Sequence, residues 1–130
     1  MQKCTIKEDD IWQIFVQLCS AIYYIHVEKH IVHRDLSPAN IMISSNNIIK
    51  LIDFGLAKTL ENDVKVMQSV VGTIAYSCPE ILQGQGYTEK ADLWSIGCIL
   101  YELMMLKPPF SAGNPLTVAK KVRLSYSRIR

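Results

Sequence analysis

Two short polar runs stand apart from the apolar segments around them. The first is His33-Arg34-Asp35-Leu36-Ser37-Pro38-Ala39-Asn40, and thirteen residues after Asn40 comes the second, Asp53-Phe54-Gly55. A carboxylate within reach of a hydroxyl can accept its hydrogen bond and then its proton. A neutral amide oxygen and a further carboxylate are the hard donors that magnesium prefers. Asp35 and Asp53 are carboxylates able to accept a proton or a hard cation, and Asn40 adds a neutral oxygen donor. Gly55 offers the backbone freedom that a turn after such a carboxylate requires. Any of these residues alone is an ordinary turn Asp or Asn. Seven specified positions in fixed spacing are different: at about 5% frequency each, coincidence is of order one in a billion.

Elements must position these runs. Glu8, Asp9 and Asp10 open an acidic first turn, and Ile11, Ile14, Phe15, Leu18, Ile22 and Ile25 follow at spacings of three and four. This predicts one buried stripe on a helix of about five turns, ending near Lys29 and His30. Ile41-Met42-Ile43-Ser44 and Ile48-Ile49-Lys50-Leu51-Ile52 flank the turn-type tripeptide Ser45-Asn46-Asn47, which predicts a hairpin. The first run then lies in the loop between helix and hairpin, and the second ends the second strand. From Leu56 to about Ser77 no period holds, and a loop of that length is normally functional. A short helix is expected from Pro79 through Leu82, closed by Gly84 and Gly86. Glu89 to Leu106 predicts a strong helix, apolar on nearly every face and so buried all round, until Pro108-Pro109 stops it. Thr117 to Arg130 carries only a weak helical pattern.

Composition narrows the function classes. Fourteen Lys and Arg against twelve Asp and Glu give a formal net charge of +2, with no electrostatic footprint for nucleic acid or an anionic membrane. The longest nearly apolar run, Ile96 to Leu106, falls short of the roughly 18–20 residues that a membrane span needs. The opening MQKCTIKEDD lacks the apolar core of a signal peptide. Length fits one domain. A hydrophobic fraction of 49% and a mean hydropathy of +0.13 fit either a well-filled helical core or apolar surface that another part of the protein covers. Cysteines 4, 19, 78 and 98 show no zinc or disulfide spacing. They read as reduced thiols of an intracellular protein, cytoplasmic with the nucleus left open.

The two polar runs match H-R-D-x-x-x-x-N and D-F-G, the catalytic-loop and metal-binding motifs of protein kinases. The resemblance extends over roughly residues 8 to 120, through Gly72-Thr73, Cys78-Pro79-Glu80 and Asp92-Leu93-Trp94-Ser95-Ile96-Gly97. It implies a mainly α fold, a protein-kinase-like C-terminal lobe with a small β-hairpin at the catalytic cleft. Residues 1–130 would be a partial kinase domain, without the N-lobe and the final C-lobe helices. The implied activity is transfer of the ATP γ-phosphate to a protein hydroxyl, with ATP and Mg²⁺ as cofactors. The implied partners are a protein substrate and the N-lobe of the parent domain, with no nucleic acid and no membrane.

Carried over residue by residue, Asp35 is the catalytic base, while Asn40 and Asp53 hold Mg²⁺ and through it the nucleotide. Ile41, Met42 and Ile43 match the apolar floor beneath adenine, where Met42 is otherwise an ordinary core methionine. His33 and Phe54 match two stacked spine residues, and Asp92 matches the carboxylate that accepts backbone N–H bonds from the catalytic loop. Phe54 to Glu80 resembles an activation segment, in which Arg34 is the cationic partner of a phosphate. Ser69 sits where the NIMA-related kinases place an activating phosphoacceptor, and is otherwise a solvated serine. Thr73 resembles the threonine that lines the substrate pocket. Glu80 matches the A-P-E glutamate, with Cys78 in place of alanine.

Ser37 stands where Ser/Thr kinases carry a lysine near the γ-phosphate, which leaves tyrosine acceptors open. Gly72-Thr73-Ile74-Ala75-Tyr76 and Leu56 have the Ser/Thr-kinase shape, so Ser/Thr hydroxyls are expected. The combination most resembles the NIMA-related kinases. No glycine-rich phosphate loop and no V-A-I-K lysine occur in the 130 residues, so the isolated chain is expected to be inactive. The competing reading is a pseudokinase-like or truncated interaction and regulatory module. Retention of Asp35, Asn40 and Asp53 argues against it.

Overall fold

The structure is a computed structural model that describes residues 5–54, 58–59 and 73–127, with backbone alone at 58, 59 and 73. Helix α1, Glu8–Tyr23, buries Ile14, Leu18 and Ile22 along one stripe, with Glu8, Asp9 and Asp10 in its first turn. Exposed N–H groups at a helix start favour such negative charge. The predicted helix does not continue as one regular α-helix to Lys29. Residues Tyr24–Glu28 instead form a π-helical turn that keeps Ile25 buried. Such turns occur mostly as single-turn insertions in α-helices, frequently at functional sites.

Strand β1, Ile31–Val32, leads into the first polar run, which closes in a 3₁₀ turn at Pro38–Asn40. Strands β2, Ile41–Ile43, and β3, Ile49–Leu51, pair antiparallel with Ile41 opposite Leu51 and Ile43 opposite Ile49. Asn47 takes the turn at a φ of 58°, a left-handed conformation that asparagine tolerates. Gln17 of α1 fixes the hairpin from outside. Its Nε2 donates to the Asn47 carbonyl at 2.8 Å, and its Oε1 accepts the Ile49 N–H at 3.2 Å.

Strand β4, Lys58–Thr59, pairs antiparallel with β1, Val32 opposite Lys58. This two-residue ladder falls inside the stretch read as irregular, and two residues are too few for a period to show. Helix α2, Pro79–Leu82, ends at Gly84, whose φ of 72° favours glycine. Helix α3 spans Glu89–Met105 and α4 spans Pro115–Ser127. The latter is better formed than its sequence pattern suggests. Asn114 Oδ1 accepts the Thr117 N–H at 2.9 Å, an N-cap, and Val118 and Val122 are buried.

The core forms where Leu18, Ile22 and Ile25 meet Ile96 and Ile99 of α3, with Leu36 and Tyr76 joining them. Each such side chain contributes roughly 1.5–3 kcal/mol when removed from water. One expectation fails here: α3 is not buried all round. Asp92, Ser95, Ile96 and Ile99 are buried, while Leu93, Met104 and Met105 are more than half exposed. Among the described residues, packing covers the sides of α3 that meet α1, the polar loop, the Thr73–Tyr76 turn and α2. The mainly α architecture with a small hairpin agrees with expectation. Among the described residues, no helix is long and apolar enough to cross a membrane.

Candidate active site

The site is organised from α3. Asp92, in the first turn of α3, is only 1% exposed. Its Oδ2 accepts the His33 N–H at 2.8 Å and its Oδ1 accepts the Arg34 N–H at 3.0 Å. His26 Nε2, delivered by the π-helical turn, lies 2.8 Å from the same Oδ2. A buried carboxylate is costly without such donors, and here it has three.

Arg34 adopts a φ of 71°, uncommon for a residue with a side chain. Its carbonyl accepts the Tyr87 hydroxyl, and its guanidinium lies over the Tyr87 ring, 5.2 Å from the centroid. With its N–H held by Asp92 and its carbonyl by Tyr87, the strained conformation is fixed from both sides. Burial pushes the Tyr87 hydroxyl well above the ordinary tyrosine value, so it stays a donor. Leu36, almost fully buried, anchors the chain on the other side of Asp35.

Asp35 is then held by Asn40. The Asn40 amide nitrogen donates to the Asp35 carbonyl at 2.7 Å and to Asp35 Oδ2 at 3.1 Å. Only the NH₂ end of the amide can make these bonds, which leaves the amide oxygen as the end available to a cation. Asp35 Oδ1 is buried and has no hydrogen-bond partner among the described residues. An unsatisfied acceptor of this kind is expensive, and it fits a substrate hydroxyl as donor.

Asp53 follows β3 with a φ of 59°. The Ile52 N–H donates to the Asn40 carbonyl at 3.0 Å, so the hairpin register sets Asn40 opposite Ile52, the residue that precedes Asp53. No cluster of three or more His, Cys, Asp or Glu that could hold a metal occurs among the described residues. The Asn40 amide oxygen and the Asp53 carboxylate instead fit Mg²⁺, which keeps several waters and takes other oxygens from phosphates. Phe54 packs on His33 with ring centroids 4.8 Å apart and planes tilted by 55°. His33 itself is wholly buried.

The other expected site residues fall out unevenly. Ser37 is buried, its carbonyl accepting the Asn40 N–H at 3.0 Å to close the 3₁₀ turn. It brings no charge to the loop. Met42 is 57% exposed and so is not a core methionine. Strand alternation puts it on the face opposite Ile41 and Ile43, so the three do not make one floor. Ile41 and Ile43 instead line an apolar cavity of about 280 Å³ beneath the hairpin, with Ile14, Pro38, Ile99 and Leu103. The backbone of Thr73 opens a 3₁₀ turn to Tyr76, and Glu80 is partly buried in α2. Ser69 lies outside the described residues. Cys78 is buried, and loss of solvent pushes its thiol up to about 12, so it packs as a small inert side chain.

Sequence reasoning missed His26, Tyr87 and Glu102. His26 stands four residues after Ile22, on the stripe that packs against α3, but a lone histidine there carries no sign of its Asp92 partner. Tyr87 was hidden in a linker, where its one signal is an aromatic beside Gly86. Glu102, the one charge in an apolar run, accepts the Tyr76 hydroxyl, and the Tyr76 carbonyl accepts Ser95 Oγ at 2.9 Å.

This arrangement can now be set beside known proteins. The protein kinase domain model matches residues 1–129. The chain is 52% identical over 115 residues to human (Homo sapiens) serine/threonine-protein kinase Nek10, covering 88% of this chain and 10% of that protein. It is 51% identical over 116 residues to the Mus musculus Nek10, covering 89% and 10%. Against Xenopus laevis serine/threonine-protein kinase Nek9 it is 43% identical over 116 residues, covering 89% and 12%. The likeness agrees with the motif pattern, which points within the NIMA-related kinases to the divergent tenth member. The chain spans about a tenth of the length of these relatives.

Proposed function

This chain belongs to the protein kinase domain family, and from that premise we propose that it supplies the phosphoryl-transfer lobe of a NIMA-related serine/threonine protein kinase. The observation that carries the reading is the double role of Asn40. Its amide nitrogen holds Asp35 while its backbone ties it to the strand end that bears Asp53. One residue thereby joins the base to the metal ligands.

In this reading a serine or threonine hydroxyl of a protein substrate donates to Asp35. The hydroxyl oxygen forms a bond to the γ-phosphorus as the bond from that phosphorus to the bridging oxygen breaks. ADP departs with the bonding pair, and the proton passes to Asp35. The Asn40 amide oxygen and Asp53 would hold Mg²⁺, which when bound neutralises charge on the phosphates. Asn40 also keeps Asp35 from rotating, which is worth more than its pairwise bonds because geometry governs an in-line transfer. Met42, exposed on the outer face of the hairpin, would meet the adenine. Arg34 would pair with a phosphate on the activation segment, Ser69 being the proposed acceptor, and Thr73 and Glu80 would shape the substrate side. Activity is proposed for the longer protein, in which an ATP-covering lobe with its glycine-rich loop meets this one.

The test is phosphate transfer from labelled ATP to a serine/threonine protein substrate by the full-length protein. Asp35→Asn is expected to lower kcat by about 10²–10⁴-fold with little change in nucleotide affinity. Equal activity in Asp35→Asn would remove Asp35 from the mechanism. Absence of transfer by the wild type would favour an interaction module instead.

A further inference from the structure

The hairpin that leads to Asp53 has few bonds of its own to set its register. Its ladder pairs three residues of β2 with three of β3, and an isolated two-stranded hairpin is marginal in water. The Ser44 N–H donates to the Ile48 carbonyl at 2.9 Å, and the Ile52 N–H donates to the Asn40 carbonyl. Antiparallel pairing alternates bonded and unbonded pairs, so the Ile49 N–H points away from β2. Gln17 of α1 meets it there. Its Oε1 accepts the Ile49 N–H at 3.2 Å, and its Nε2 donates to the Asn47 carbonyl at 2.8 Å. The carbonyl of one residue and the N–H two residues on are what a third strand would bond along that edge. A single side-chain amide, 30 and 32 positions away in sequence, takes the place of that strand. Its partners also fix which end of the amide is which, because a carbonyl needs the donor and an N–H the acceptor. Nε2 lies 3.1 Å from the Gln13 carbonyl as well, which holds the side chain to its own helix.

We propose that Gln17 is a positioning residue for Asp53: its amide clamps the free edge of β3 to α1 and so fixes where the strand delivers the carboxylate to a divalent cation. The proposal rests on the kinase reading for its metal consequence, while the clamp itself does not. The ladder holds the two strands to each other, whereas Gln17 ties the pair to the helix. Ile49 and Leu51 add apolar contacts with the core, but such contacts are non-directional and do not by themselves choose a register. A slip of β3 by one residue turns the Ile49 N–H toward β2 and reverses the face of every side chain, Asp53 included. Gln17 then has no N–H to accept, so the amide selects the register observed. Asp53 lies four residues beyond Ile49, roughly 13 Å along an extended strand, so a tilt of about 5° at the clamp moves it by about 1 Å. Groups that orient metal ligands from behind typically set about 10–100-fold in affinity. Gln17 acts through a strand rather than on the ligand itself, so its effect is expected to be smaller.

The experiment compares Gln17→Met and Gln17→Glu with the wild type in the full-length protein. Mn²⁺, visible by electron paramagnetic resonance, is the probe, titrated with ADP present. Methionine keeps the length of the side chain and deletes both bonds. Glutamate keeps an oxygen for the Ile49 N–H and loses the donor to Asn47. Gln17→Met is expected to weaken Mn²⁺ binding by about threefold to tenfold. Amide exchange at residues 41–52 should accelerate at least about tenfold, with 33–36, α1 and α3 as protected as in the wild type. With the base still aimed, kcat at saturating Mg²⁺ should stay within about twofold. Gln17→Glu should fall between. Wild-type Mn²⁺ affinity in Gln17→Met would overturn the proposal, whether or not exchange at 41–52 changes. So would faster exchange spread through α1 and α3, which would mark a purely structural role, or a Gln17→Glu protein no closer to the wild type than Gln17→Met. Should the wild type bind Mn²⁺ with ADP yet transfer no phosphate, the kinase reading fails and the affinities still decide the clamp. A wild type that binds no Mn²⁺ overturns the proposal itself.

Discussion

The loop that carries Asp35 and the strand end that carries Asp53 meet at Asn40, yet they are secured by different means. Around Asp35 the neighbours are buried and distant in sequence: Asp92 reaches His33 and Arg34 across 59 and 58 positions, and Leu36 is sealed into the core. Around Asp53 more of the support is local, with Gln17 and His33 as distant contacts of the hairpin and of Phe54. A three-residue ladder and the Ile52 to Asn40 bond place it, while Met42, Ile52 and Phe54 remain substantially exposed. Asp35, the proposed base, is thus aimed by tertiary contacts, and Asp53, the proposed metal ligand, chiefly by hairpin register. A base needs a fixed line of attack, whereas a cation adapts its remaining ligands to where the carboxylate stands.

The harshest way to break this contrast is Asp92→Ala, which strips two buried N–H groups and His26 of their acceptor. It is expected to cost about 3–5 kcal/mol in chemical denaturation, as removal of one partner from a buried charged network does. A loss below about 1 kcal/mol would show that the loop is held by something else. The next sharpens it by paired deletions. Leu36→Ala, on the buried side, should cost about 2–5 kcal/mol. Phe54→Ala, on the half-exposed arm, should cost only about 1–2 kcal/mol, because much of the ring already meets solvent. Equal costs would erase the distinction.

Alkaline titration probes the buried side without mutation. Cys78 and Cys98 are both raised from 9.0 to about 12, chiefly by burial. The unfolded chain loses these protons near pH 9 while the fold retains them, so stability is intact below 9 and declines as pH rises from about 9 toward 12. At pH 10 the loss is on the order of 1 kcal/mol per thiol, read from denaturant midpoints. A flat profile would mean that the thiols are open to water. Smallest of all, Met42→Gln should change stability by less than about 0.5 kcal/mol while raising the KM for ATP. An unchanged KM would take Met42 out of the nucleotide site.

Legibility followed the same divide. The α1 stripe, the hairpin and its turn could be read directly, because periods of 3.6 and 2 and a turn tripeptide are local signals. The motif residues named themselves by spacing. The exposed flank of α3 could not be read, since Leu93 and Met104 carry the same hydrophobicity as Ile96 and Ile99 and only packing separates them. Nor could the β1–β4 ladder, two residues on each side and 28 positions apart between Ile31 and Thr59.

By itself the sequence determined which groups are present and in what order: the Asp35 carboxylate, the Asn40 amide, the Asp53 carboxylate and, further on, Asp92. Their chemistry is a property of residue type and survives any description of the fold. Only the tertiary structure decided what aims them. The π-helical turn that brings His26 to Asp92, the Tyr87 hydroxyl on the Arg34 carbonyl and the separate faces of Met42 and Ile41 follow from how distant segments pack. No local period encodes such a contact, because its energy exists only once both partners have left water together.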